Sequence, residues 1–318
     1  MSNFTQLKGI IMSGTAKNKQ STNHIMVMEP GLFHANPQTM PTNSYQHEDD
    51  ADTRTIHQKA VMEFRTFRDM LAEKGVIITT VKGVPDSPDD IFCNNWVSTH
   101  MTETGKPRMV LYPMLAPNRQ LERRADLIEF LKRSYKDVQD FSLHEQHHKY
   151  LESTGALCLD RVNRIAYHAR SERSHDDLAK MWCKMNGFEH VPFDTMHRGK
   201  PVYHTDVVMW IGTELAGICS ECLETRDVIA KLTQTHDVIE FTNEQMEHFC
   251  GNSLQVIGYP DGKKAQEMLV MSASGFNALN QEQIEKIRKY YKTVITPDIP
   301  TIEKYGGGSA RCMLLELF

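Results

Sequence analysis

Short apolar runs separated by amphipathic helices, with some runs following one another directly, constrain this chain more than any single motif. IMVMEP, VIITTV, RMVLYP, RIAYHAR, DVVMWIG, SLQVIGYP, EMLVMSAS and TVITPD favour strands and are bounded by turn formers. In TIHQKAVMEFRTFRDMLAEKG, Val61, Phe64, Phe67, Met70 and Leu71 recur at helical spacing, and Gly75 supplies a left-handed stop. Asn118 is expected to start a helix through LERRADLIEFLKRSY. Ser174 with Asp177, Thr242 with Gln245 and Asn280 with Gln283 have the spacing of a capping box. Strict βαβ winding is broken where GALCLDR is followed at once by RIAYHAR. Paired strands plus one helix, recurring about every 60 residues, suit an α/β propeller or a mixed α+β sheet.

The 318-residue chain is long enough to bury about three quarters of its unfolded surface. Residues 1–22 are mostly small and polar and are expected to form a loose extension, with residues 23–318 a single α/β domain. A net charge of −5 argues against a nucleic-acid partner and for a small-molecule ligand. No apolar stretch approaches the roughly 20 residues of a membrane span. Seven cysteines without framework spacing, and no secretory segment, predict reduced thiols in the cytoplasm. Association of copies of the chain is compatible with this composition.

Three motifs suggest chemistry. HEQHH at 144–148 satisfies H-E-x-x-H, which would make His144 and His148 the ligands of a zinc hydrolase, yet no third ligand follows at a familiar spacing. CSEC at 219–222 is a lone C-x-x-C and reads as two structural thiols at a strand-to-helix turn. Gly306–Gly308 lacks the lysine and hydroxyl residue of a phosphate loop.

The thiol in GGGSARCMLLELF is different. A cysteine becomes a capable nucleophile beside a base or a positive charge, and glycines let backbone approach a substrate closely. YHTDVVMWIG places His204 and Asp206 two residues apart before an apolar run, so an extended backbone would point both to one side. Glu152 in YLESTGALCLDR opens another such run, with Gly155 permitting close approach.

In order, FCNNW, LESTG, YHTD and GGGSARCM resemble the stations of the guanidine-modifying superfamily: arginine deiminases, dimethylarginine hydrolases, succinylarginine dihydrolases and amidinotransferases. The likeness spans about residues 24–318 and is greatest to the citrulline-hydrolysing branch. It implies the pentein fold, a five-bladed α/β propeller of pseudo-fivefold ββαβ repeats with its site at the centre. It further implies Cys312 as nucleophile, His204 as proton donor and water activator, Glu152 as acceptor for substrate N–H groups and Asp206 as head-group ligand. Arg173 and Arg311 are the candidates for holding the rest of the substrate. No metal or organic cofactor is implied.

Arginine deiminases carry an aspartate at the early station, where this chain has Asn95. A carboxylate suits a guanidinium, whereas against a neutral ureido group it would be a buried anion without a counterion; an amide can donate to one ureido atom and accept from another. Cys93 and Ser153 depart from the proline and glycine expected in that branch. The sequence therefore predicts a cysteine hydrolase of a ureido amino acid, citrulline giving ornithine, ammonia and carbon dioxide. Hydrolysis of arginine or succinylarginine is the alternative within the superfamily, and a non-catalytic binding propeller lies outside it.

Overall fold

The computed structural model describes residues 19–318. Residues 1–18 of the expected extension lie outside the described residues. Gln20 and Ser21 are buried, and the Gln20 amide donates to Leu159 O at 2.8 Å and Ile211 O at 3.2 Å.

The strands form five sheets of three. The first joins β1 (His24–Glu29) and β2 (Ile77–Lys82) to the last strand of the chain. The second holds β3 (Val97–Met101), β4 (Pro107–Leu111) and β5 (Asp137–Asp140). The third holds β6 (Cys158–Asp160), β7 (Ile165–Ala169) and β8 (Glu189–Phe193). The fourth holds β9 (Met209–Ile211), β10 (Leu215–Cys219) and β11 (Asp237–Phe241). The fifth holds β12 (Leu254–Gly258), β13 (Gln266–Val270) and β14 (Val294–Ile295), and β15 (Leu315–Glu316) returns to β1.

Every sheet repeats one pattern: the middle strand pairs antiparallel with one neighbour and parallel with the other, the parallel strand being reached through a helical crossover. Neighbouring blades meet through their antiparallel strands, β15 against β3, β6 against β9 and β9 against β12, which sets those strands around the centre. The fold is the expected five-bladed α/β propeller. The chain's final strand completes the first blade, so its end closes the ring.

Local physics explains where the sequence expectations held. The helix Thr53–Glu73 is capped by Asp52, whose carboxylate accepts from Thr55 N, and it buries Ile56, Ala60, Phe64, Phe67 and Leu71. Val61 and Met70 sit at the edge of that stripe. Thr242 and Asn280 form reciprocal capping boxes with Gln245 and Gln283. Ser174 does not: the helix Asp176–Asn186 begins after His175, and the Ser174 hydroxyl donates to Ala169 O. The helix expected from Asn118 is broken into Pro117–Gln120 and Ala125–Lys132, because Arg119 and Glu122 turn inward as a buried ion pair.

Candidate active site

The inner strands share one local device. Cys93–Asn95 forms a helical turn before β3, Ser153–Ala156 before β6, Thr205–Val208 before β9 and Ala310–Met313 before β15. At the fifth position Asn252 and Ser253 lead into β12. His204 thus immediately precedes a helical turn and Asp206 lies within it, neither along a strand, and Glu152 likewise precedes the turn Ser153–Ala156. The turn directs Glu152, His204, Asp206, Asn95 and Cys312 into one centre, each no more than 2% exposed.

So many buried polar groups are tolerable only when paired. His204 Nε2 meets Glu152 Oε2 at 2.8 Å, and Glu152 Oε1 accepts from Leu115 N at 3.0 Å. Arg173 and Arg119 stand 3.6 and 3.9 Å from Glu152 Oε2. Burial opposes ionisation of Glu152, but Arg173, the His204 bond and Arg119 hold its pKa down at about 2. Burial pushes His204 the other way, below its ordinary value, against the pull of Glu152, so the imidazole is neutral at neutral pH. With Nε2–H directed at Glu152, Nδ1 carries the free lone pair.

Cys312 faces Asp206 and Asn252. Its Sγ lies 3.5 Å from Asp206 Oδ2, and Asn252 Nδ2 donates to it at 3.1 Å. Burial and then the Asp206 charge push the thiol well above its usual range, while the Asn252 bond pulls it down. Asp206 is itself raised, first by burial. Its Oδ2 also accepts from Asn94 Nδ2 at 3.1 Å, whereas Oδ1 has no hydrogen-bond partner and lies 4.0 Å from His204 Nδ1. Asp206 therefore stands between thiol and imidazole.

Asn95 is fixed from behind. Arg119 Nη1 donates to its Oδ1 at 3.0 Å, and Asn95 Nδ2 is buried without a partner. A flipped amide would put donor against donor, so only this orientation is compatible with the guanidinium. A Cβ on Gly155 would come within 2.3 Å of Asn95 Nδ2 and 2.8 Å of His204 Nδ1, so glycine is required for the close packing of these two groups.

Asn95, Arg119, Arg173, Tyr203, His204 and Cys312, with Asn43 and Asp89, line one cavity of only about 10 Å³. The loop above it is tied down by Arg173, which bonds Thr39 O and Thr42 Oγ1, and by Asn43, which bonds Gly306 O and Gly307 O. A substrate the size of an amino acid requires that loop to shift. Of the glycines of GGGSARC, Gly306 and Gly308 also line this cavity, beside Phe92, while Gly307 has φ +62° and packs against Asn43 of the roof.

Arg311 is a correction. Its guanidinium bonds Leu314 O and lies 3.7 Å from Glu316, lining a separate polar cavity with Arg161 and Trp210; its backbone direction carries it away from the Cys312 side. The H-E-x-x-H reading also fails: Ser142–His147 is a 3-10 turn, His148 is left-handed at φ 52°, and Glu145 is engaged by Arg123 and Met114 N. Cys219 and Cys222 are buried thiols at the end of β10, as read. Cys93 is buried, with Sγ directed at Met26 O and Met313 O, and Ser153 takes φ 46°, a conformation a glycine adopts without strain.

Sequence reasoning missed Asn94, Arg119, Asn252, Asp89 and Tyr203. Asn252 was findable: it occupies, before the fifth inner strand, the place of the other four stations. Arg119 had no comparable signal, because it acts through a broken helix.

The sequence profile of the family described as N,N dimethylarginine dimethylhydrolase, eukaryotic, matches residues 29–318. No curated protein sequence matches. Among solved structures, the chain resembles the substrate-bound N-terminal domain of ArgZ, an arginine dihydrolase from the ornithine-ammonia cycle in Cyanobacteria. Identity is 15%, coverage 92% of this chain and 97% of that one, and the TM-score 0.71. It also resembles a mutant of AgrE in complex with L-arginine, at 15% identity and TM-score 0.72, covering 93% of this chain and 40% of AgrE. A dimethylarginine dimethylaminohydrolase adduct with 4-chloro-2-hydroxymethylpyridine gives 18% identity, 94% and 100% coverage and a TM-score of 0.62. At these identities the structural likeness establishes the shared propeller fold.

Proposed function

The chain belongs to the N,N dimethylarginine dimethylhydrolase family, within the guanidine-modifying pentein superfamily, and from that premise we propose that it is a cysteine hydrolase of a ureido amino acid, citrulline foremost.

The orientation of Asn95 carries this reading. Arg119 occupies its carbonyl oxygen, so the unpartnered Nδ2 can only donate. A guanidinium offers donors alone; a ureido group offers a carbonyl oxygen. Citrulline satisfies Asn95 Nδ2 with that oxygen and Asp206 Oδ1 with an N–H, whereas arginine leaves the amide donor facing another donor.

The thiol proton passes through Asp206 to neutral His204 as Cys312 Sγ attacks the ureido carbon. His204 returns a proton to the departing δ-nitrogen, the C–N bond breaks, and ornithine leaves an S-carbamoyl cysteine. Water deprotonated by His204 then cleaves the thiocarbamate, Cys312 leaves as thiolate and regains its proton, and the released carbamate separates into ammonia and carbon dioxide. Glu152 keeps His204 oriented with Nδ1 toward the substrate, and Arg173 is the candidate for the amino-acid end.

Hydrolysis of a guanidino compound, arginine or a methylated or succinylated derivative, is the second reading. The buried Asp206 carboxylate, whose Oδ1 has no hydrogen-bond partner, favours it because it supplies charge complementary to a cation. Incubation with citrulline, arginine and dimethylarginine separates the two: ornithine from citrulline supports the first, and consumption of a guanidino substrate with citrulline untouched supports the second.

A further inference from the structure

We propose that His168, His190 and Asp176 form a binding site for one divalent first-row transition-metal ion, with zinc the reference case. The three residues belong to β7, β8 and the start of the helix Asp176–Asn186. No residue of the Cys312 centre takes part, so this proposal and the proposed hydrolysis stand or fall separately.

Strand register brings the histidines together. β7 and β8 are parallel, and Ala166 is paired with His190. His168 lies two residues beyond Ala166, on the same face, so the imidazoles are diagonal neighbours. His168 Nδ1 and His190 Nε2 are 3.1 Å apart. Two nitrogens sharing a tetrahedral zinc at 2.0–2.1 Å each are separated by about 3.4 Å, so a shift of a few tenths of an ångström admits the ion. The Asp176 carboxylate completes a trio whose ligand atoms lie within 4.8 Å of one another.

The surroundings suit a cation. The 3.1 Å contact between His168 Nδ1 and His190 Nε2 is bridged by one ring proton, which an entering ion displaces to the far nitrogen of that ring or to solvent. His168 Nε2 is buried without a partner, and Nδ1 is the ring's one polar contact among the described residues. Arg170 Nε holds Asp176 Oδ1 at 2.8 Å and is anchored on Asp194 as well. Asp176 can keep that partner on Oδ1 and ligate through Oδ2, an outer contact of the kind that orients metal-binding carboxylates. Three protein ligands leave a fourth position for water, and exposed Asp176 provides access from solvent.

The location has a structural consequence. His168 and Asp176 bracket the segment that carries Arg173, and Ala169 N within it bonds Thr205 Oγ1 of the next blade at 2.8 Å. An ion joining His168 to Asp176 closes that segment into a loop.

Titration of the metal-stripped full chain with Zn²⁺ against a chromophoric chelator, and with Co²⁺ followed by its visible spectrum, tests the site. One equivalent is expected to bind, with a Co²⁺ spectrum free of thiolate charge-transfer bands. His190→Gln and Asp176→Asn should each weaken binding by at least about tenfold, and Cys312→Ser should not change it. Asp176 is exposed, so its variant keeps the question open to test if His190→Gln fails to fold. Unchanged affinity in the variants, a thiolate band, or loss of binding in Cys312→Ser overturns the proposal.

Discussion

Arg119 Nη1 donates to Asn95 Oδ1 at 3.0 Å, and this one bond decides which half of the Asn95 amide faces the substrate. Arg119 is in turn held by Glu122, with Nε to Oε1 at 2.7 Å, and by Phe92 O at 3.1 Å. The cation that would ordinarily be spent on a substrate anion is used to turn an amide.

Replacing Asn95 by Asp puts a carboxylate at that position and removes the donor. Activity on citrulline is expected to fall on the order of 100-fold, the scale seen when a preorganised donor is removed from a reacting oxygen. The ratio of arginine to citrulline turnover should rise at the same time. Steady-state kinetics on both substrates checks this; a uniform loss on both would show that Asn95 does not discriminate.

Asn252 makes a second prediction. Its Oδ1 accepts from Arg311 N at 3.0 Å and Cys312 N at 3.3 Å, so Nδ2 must point at Cys312 Sγ. Asn252→Ala removes a donor that favours the thiolate and should raise the pH at which Cys312 is alkylated, with on the order of a tenfold lower rate at neutral pH. An unshifted alkylation profile would assign Asn252 a purely structural part.

Gly155→Ala should cost activity more than stability. The added methyl meets Asn95 Nδ2 and His204 Nδ1, both functional atoms, so one of the two must move. A loss on the order of 100-fold in kcat/KM is expected, with a melting temperature within a few degrees of the parent. Crystallography of the variant would locate the displaced group.

These residues show what the sequence made legible. The apolar runs made most strands visible, the outer β2 and β14 included, but the inner VSTHM (β3) and the buried middle strand LAGIC (β10) were not singled out, being interrupted by polar residues or short and rich in small ones. The outer strands DVQD, EHVPF and DVIEF were missed, since each lies at a sheet edge, half exposed, and carries no continuous apolar run. Cys312, His204, Asp206, Glu152 and Asn95 were found as a set by their order in the chain. Their local geometry was not: an extended backbone was expected at His204 and Asp206, which lie at a helical turn before β9. Arg311 was placed by adjacency to Cys312, but neighbours in a 3-10 turn point about 120° apart and so face different cavities.

The Glu152 carboxylate gives a pH dependence of definite sign. Its pKa is about 2 in the fold against an ordinary 4.5, so it contributes stability above pH 4.5 that is lost as pH falls through 2. The displacement corresponds to something on the order of 3 kcal/mol. Glu152→Gln should unfold at lower denaturant concentration than the parent at pH 7, and the gap should narrow below pH 4.5. A gap that stays constant across that range would contradict the ionised Glu152–Arg173 arrangement.

The central claim is that Cys312 and Asn95 act on a neutral head group. Purified protein incubated with citrulline, quenched in acid and analysed by mass spectrometry tests it most directly. Ornithine in solution and a carbamoyl group on Cys312 are expected, both absent in Cys312→Ala. Arginine consumed through an adduct on Cys312 while citrulline is recovered intact would contradict it.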